Sequence, residues 1–89
     1  MKVLEKRLTV NLNKGVHGRI ATTMMKIAAI HKVKIVVKSG GKIIECSSVM
    51  DILALELAEN TQFVLHLSGE EPSEAMQAIE RLIVEEEKH

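Results

Sequence analysis

The segment Gly15-Val16-His17-Gly18-Arg19 places an imidazole and a guanidinium two residues apart. A neutral imidazole is nucleophilic near neutral pH, and a phosphoryl group bound to its nitrogen stays labile enough to be passed on. The first turn of a helix attracts phosphate because its backbone N–H groups lack internal acceptors. If a helix begins here, the segment predicts phosphorylation of His17, with Arg19 as a phosphate clamp and Gly18 as a backbone donor. From these residues alone, His17 can equally cap the helix or pack at its start.

The elements that position this segment follow from the spacing of apolar residues. Leu4, Leu8, Val10 and Leu12 share one parity, which predicts a half-buried strand, and a helical period from about Gly18 predicts a helix that ends near His31-Lys32. The remaining elements are a hairpin over Val33–Lys38 and Ile43–Cys46, a short helix capped by Ser47 or Ser48, a strand over Phe63–Leu67 and a last helix opened by Pro72. The order βαββαβα predicts an α+β fold, an open-faced sandwich in which three helices cover one face of a four-stranded antiparallel sheet.

Composition limits the kind of partner. The 89 residues fit a single domain spanning 1–89, and 12 basic residues balance 12 acidic ones, so nucleic acid and anionic membranes exert no net attraction. Phe63 is the only aromatic residue, which argues against base stacking. Cys46 is the only cysteine, so we expect neither an internal disulfide nor a metal site. The N-terminus lacks the apolar stretch of a signal peptide and no apolar run is long enough to span a bilayer, so a cytoplasmic location without membrane insertion is expected. We also expect a monomer.

Gly15-Val16-His17-Gly18-Arg19-Ile20-Ala21 resembles Gly-Leu-His-Ala-Arg-Pro-Ala, the signature of HPr, the histidine phosphocarrier of the phosphoenolpyruvate-dependent sugar phosphotransferase system. The resemblance covers nearly the whole chain, in length, histidine position and element order. It implies that enzyme I donates a phosphoryl group to His17 and that an enzyme IIA-type protein accepts it during sugar uptake. The chain would then be a carrier rather than an enzyme, with no cofactor. Gly18 and Ile20 stand where the family usually has Ala and Pro.

A second segment, Cys46–Leu53, resembles the family's Lys-Ser-Ile-Met-Gly-Val-Met, which in some bacteria carries a regulatory phosphoserine. Ser48 occupies the matching position, which would imply a serine kinase as a partner. We favour capping instead, because an acid at the third helical position, Asp51, completes a capping arrangement and would repel a phosphoserine. The resemblance also assigns Val49, Ile52, Leu53 and Lys26 to partner docking, although helical spacing can equally place the apolar ones in the core.

Two other functions remain open from the sequence. The alternative is a regulatory paralogue that binds a partner protein, such as a transcriptional regulator, through the second helix without efficient phosphotransfer; Gly18, Ile20 and Asp51 are the reasons for it. A stand-alone enzyme is the weakest class, because His17 and Arg19 have no acid partner, cofactor loop or metal set. The other conspicuous residues are interpreted structurally: Met24, Met25, Met50 and Met76 as core filling, Cys46 as a small buried residue, and Glu85-Glu86-Glu87 as a solvated helix end.

Overall fold

The computed structural model describes residues 1–85, with the side chain of Glu85 left out. The elements in chain order are β1 (Lys2–Thr9), α1 (Gly18–His31), β2 (Val33–Ser39), β3 (Lys42–Cys46), α2 (Val49–Leu53), β4 (Gln62–Gly69) and α3 (Pro72–Glu80), which continues as one π-helical turn (Arg81–Glu85). This is the predicted order. The predicted solvated end over Glu85-Glu86-Glu87 concerns side chains outside the described part of the chain.

The four strands form one antiparallel sheet in the order β1-β4-β2-β3. β4 lies in the centre, where Leu67 is opposite Leu4 of β1 and Ile35 of β2, and Ile35 is in turn opposite Cys46 of β3. Since alternate residues of a strand point to opposite faces, these residues share the face on which the helices pack. The predicted open-faced α+β sandwich is confirmed.

The core lies between the sheet and the helices. Its largest fully buried side chains include Phe63, Leu65 and Leu67 of β4, with Met24 of α1 and Ile79 of α3 facing them. Within residues 1–85 no polar or charged side chain is buried. The core is therefore apolar and, apart from Phe63, non-aromatic, as expected from a sequence with a single aromatic residue, and it fixes the helices against the sheet by apolar contact.

The opposite face of the sheet carries an ionic cluster. The carboxylate of Glu5 on β1 accepts a hydrogen bond from Lys38 Nζ on β2 at 2.7 Å, and its Oε2 lies 3.0 Å from His66 Nδ1 on β4. The hydrogen bond from Lys38 and, to a smaller extent, the contact with His66 hold the pKa of Glu5 below its usual value. His66 is thereby engaged far from the helix that begins after His17, and it belongs to the exposed side of the sheet.

The C-terminal end of α1 is tied to the start of α3. Lys32 adopts a left-handed conformation and its N–H bonds back to the last turn of α1. The backbone N–H of Glu71 donates to the carbonyl of His31 at 3.2 Å, while His31 Nδ1 lies 2.8 Å from the Glu71 carboxylate. The predicted end of this helix at His31-Lys32 is confirmed, and a basic side chain occupies its negative end.

No helix within residues 1–85 combines the length and the apolar character that a membrane span requires. The same residues contain no group of three or more His, Cys, Asp or Glu side chains able to hold a metal ion.

Candidate functional site

The loop before α1 is anchored on both sides of His17. Gly15 N–H donates to the carbonyl of Leu12 at 2.9 Å, which closes a turn, and Val16 N–H donates to the carbonyl of Leu57 at 2.8 Å. The side chains of Val16 and Ile20 are buried. His17 therefore lies between two residues fixed in the core, on a segment that has little freedom to move.

His17 is the N-cap residue of α1. Its backbone is extended, with φ −98° and ψ −174°, and its carbonyl accepts the N–H of Ala21 at 2.8 Å. The imidazole is half-buried, does not cap the helix, and makes no hydrogen bond to any residue between Met1 and Glu85. The side chain is thus not engaged by the described part of the fold, and its ring nitrogens remain available to a ligand or a partner.

The first turn of α1 has unused donors. The N–H groups of Gly18, Arg19 and Ile20 find no acceptor within residues 1–85, and the turn contains no acidic residue. A helix start carries a partial positive charge, so these groups favour an anion beside His17. A Cβ built on Gly18 meets no atom within 4 Å, so an alanine would also fit there.

Arg19 and Ile20 have opposite environments. Arg19 is exposed, and its guanidinium makes no hydrogen bond or ion pair inside the described region; its carbonyl accepts the hydroxyl of Thr23 at 3.0 Å. Ile20 is completely buried. The guanidinium can therefore reach an anion at the helix start, while Ile20 packs in the core behind the loop.

The exposed side of α2 differs from the prediction. Ile52 has no exposed surface, so its assignment to partner docking is wrong: it points into the core. Met50 is 70% exposed, so its interpretation as core filling is also wrong. The two residues are roughly 200° apart around the helix, so when Ile52 faces the core, Met50 faces solvent. Val49 and Leu53 are half-buried against the core, and Lys26 on α1 is exposed.

Ser48 caps α2, and Asp51 completes the cap. Ser48 Oγ accepts the Asp51 N–H at 3.3 Å, and the Asp51 carboxylate accepts the N–H groups of Ser47 and Ser48 at 2.9 and 3.1 Å and the Ser47 hydroxyl at 3.1 Å. These hydrogen bonds, of which the one from the Ser47 N–H has the largest effect, hold the pKa of Asp51 below its usual value. The predicted capping box is confirmed. The Asp51 carboxylate already accepts hydrogen bonds from the N–H groups to which a phosphate on Ser48 would bind.

Comparisons with known proteins identify a family that this sequence resembles. The family model described as the PTS HPr component phosphorylation site matches residues 4–85. Phosphocarrier protein HPr of Pseudomonas putida is 29% identical over 79 residues, covering 88% of each chain. HPr of Lysinibacillus sphaericus is 28% identical over 71 residues, covering 80% of this chain and 81% of its own.

Solved structures share the fold. HPr of Bacillus anthracis superposes with a TM-score of 0.81 at 23% identity, covering 93% of this chain and 99% of its own. HPr of Thermoanaerobacter tengcongensis gives 0.79 at 26% identity, covering 93% and 91%. Crh, a catabolite repression protein of Bacillus subtilis described as a domain-swapped dimer, gives 0.70 at 22%, covering 97% and 99%. From the match over residues 4–85 and the four-stranded sheet with its three helices, the chain belongs to the HPr family of phosphocarrier proteins of the phosphotransferase system.

Proposed function

We propose that this chain accepts a phosphoryl group from enzyme I on His17 and passes it to an enzyme IIA-type acceptor in sugar uptake. The observation that carries the proposal is the environment of the His17 imidazole. It is half-buried, free of hydrogen bonds to residues 1–85, and placed at a helix start whose first three N–H groups are unused. HPr homologues of similar length support the same activity.

The transfer uses His17 as a nucleophile. A ring nitrogen in its neutral form attacks phosphorus, and the N–P bond forms while the bond from phosphorus to the donor breaks. Onward transfer reverses these events with the acceptor as nucleophile. Such reactions depend mainly on positioning and charge, so the helix N–H groups and the Arg19 guanidinium balance the arriving negative charge. The chain needs no cofactor or metal of its own for these steps.

Docking takes place around α2. The exposed Met50, with the partly exposed Val49 and Leu53, offers an apolar surface, and Lys26 adds a positive charge on α1. α2 contacts α1, and the carbonyl of Leu57, just beyond α2, holds the His17 loop. Partners that alternate on one carrier need brief contacts of modest area, which suits a cytoplasmic monomer.

The test is phosphorylation in a defined mixture. Incubated with enzyme I, magnesium and phosphoenolpyruvate, the wild type should gain an acid-labile phosphate, and His17→Ala should not. His66→Ala is the matched control, because His66 is a half-buried histidine on the far side of the sheet and should leave labelling unchanged. Arg19→Ala should be labelled more slowly. Lack of label on the folded wild type, under conditions in which enzyme I labels another HPr, would reject the proposal.

The second candidate is a regulatory paralogue that binds a partner through α2. The observation that favours it is Met50, a large apolar side chain exposed on α2 independently of His17. In that case His17→Ala keeps partner binding and Met50→Ala weakens it. Phosphate that survives acid treatment after incubation with a serine kinase and its phosphoryl donor would instead indicate Ser48, although the Asp51 carboxylate opposes a phosphate there.

A further inference from the structure

Gly15 fills a place that no other residue fits. Its φ is +68°, a conformation that L side chains rarely adopt. A Cβ built there would lie 2.6 Å from the carbonyl oxygen of Leu57 and 3.0 Å from the Cα of Ala58. Both are backbone atoms, which cannot turn aside as a side chain can. The loop before His17 therefore lies directly on the backbone that follows α2.

The next residue joins the two segments by a hydrogen bond. Val16 N–H donates to the same Leu57 carbonyl at 2.8 Å. The side chains at both ends of this bond are fixed in the core, with Val16 7% and Leu57 2% exposed. The bond thus connects two well-packed points, and His17 is the residue immediately after it.

The Leu57 end of this contact belongs to the exit of α2. After the helix, Leu55 N–H donates to the carbonyl of Ile52, and Glu56 N–H donates to the carbonyl of Leu53. Glu56 then adopts a left-handed conformation with φ 51°. Leu57 follows at once. The helix on which partners dock and the loop that presents His17 are therefore joined through a few backbone atoms, without a flexible linker.

We propose that the Leu57 carbonyl sets the position of the His17 loop for phosphoryl transfer, and that Gly15 is the positioning residue that permits this contact. The inference rests on the proposed function of His17 and deepens it. A partner seated on α2 then meets the imidazole at a fixed place. Since a misplacement of about 1 Å can reduce a rate by roughly 100-fold, losing this contact should impair transfer far more than docking.

The test compares two glycines. Gly41 in the β2–β3 turn also has a positive φ, +81°, but a Cβ there meets no atom within 4 Å. Gly15→Ala and Gly41→Ala therefore share the backbone strain, and only Gly15→Ala collides with Leu57. We expect Gly15→Ala to lower kcat for phosphorylation by enzyme I by about 100-fold with little change in KM, while Gly41→Ala stays near wild type.

A measurement on the wild type tests the contact without transfer. Hydrogen exchange followed by NMR should show the Val16 amide protected and the Gly18 amide unprotected, because only the first has an acceptor. This result does not need enzyme I, so failure of His17 phosphorylation and failure of the Leu57 contact are separable, and it tests whether the contact exists even if Gly15→Ala does not fold. Equal exchange of the two amides, or a folded Gly15→Ala with wild-type kcat, would overturn the inference.

Discussion

Replacing Met50 with alanine tests whether partners dock on α2. Full burial of a methionine side chain contributes about 1.5–3 kcal/mol. Because 70% of Met50 is exposed in the free protein, a partner that covers it gains about 1–2 kcal/mol of this amount. At about 1.4 kcal/mol for each factor of ten, Met50→Ala should weaken docking by roughly 5- to 30-fold.

The assay is the initial rate of phosphorylation by enzyme I as the concentration of the carrier is varied. Met50→Ala should raise KM by that factor while kcat and the free energy of unfolding change little, because the side chain contributes almost nothing to the core.

Ile52→Ala is the matched control on the same helix. Ile52 has no exposed surface, so its truncation should cost about 2–5 kcal/mol of unfolding free energy and leave KM of the folded fraction unchanged. The reasoning fails if Met50→Ala keeps the wild-type KM, or if both variants are equally destabilised.

Three further predictions each concern a single residue. Gly18→Ala should be tolerated and raise the free energy of unfolding by about 0.4–1 kcal/mol in urea titrations, since its Cβ meets open space and alanine restricts the unfolded chain. Burial, with a smaller effect of the Asp51 charge, raises the pKa of Cys46 to about 11, so the native thiol should resist Ellman's reagent at about pH 8 and react only on unfolding. The pKa of Asp51 is lowered in the folded state, so its stabilising effect is present above the ordinary value of 3.8 and is lost as the pH falls through the lower folded value. Asp51→Asn should therefore reduce the fall in melting temperature as the pH is lowered. An unchanged dependence of the melting temperature on acidic pH would contradict this assignment.

Much of the fold was predictable because its signals are local. The change from a two-residue to a helical period placed the start of α1 at Gly18. The first strand was predicted too long. Val10 and Leu12 keep the parity of β1 but lie beyond its end at Thr9, and Asn11 N–H bonds to the carbonyl of Ile83 instead of extending the strand. That departure depends on a residue distant in sequence, which periodicity cannot show.

The helix start beside His17 was predictable, and its surroundings were less so. Residue type at a predicted helix start was the basis for proposing His17, Gly18 and Arg19 as the site. Ile52 and Met50 were assigned to the wrong sides because α2 has only five residues, too few to define one apolar stripe. The Leu57 contact with Gly15 and Val16 left no trace in the sequence beyond a glycine in a turn, since it joins segments about 40 residues apart.

The sheet order has a consequence for how the protein is made. Within residues 1–85, β1 pairs only with β4, from Lys2 opposite Gly69 to Thr9 opposite Gln62, so β1 is synthesised well before the strand with which it pairs. Pairings this distant in sequence slow folding, because the entropy of closing a long loop is lost before any contact compensates for it. A nascent chain that does not yet include β4 contains His17 but lacks the complete sheet on which the helices pack. The proposed carrier activity should therefore arise only late in synthesis, once β4 is available.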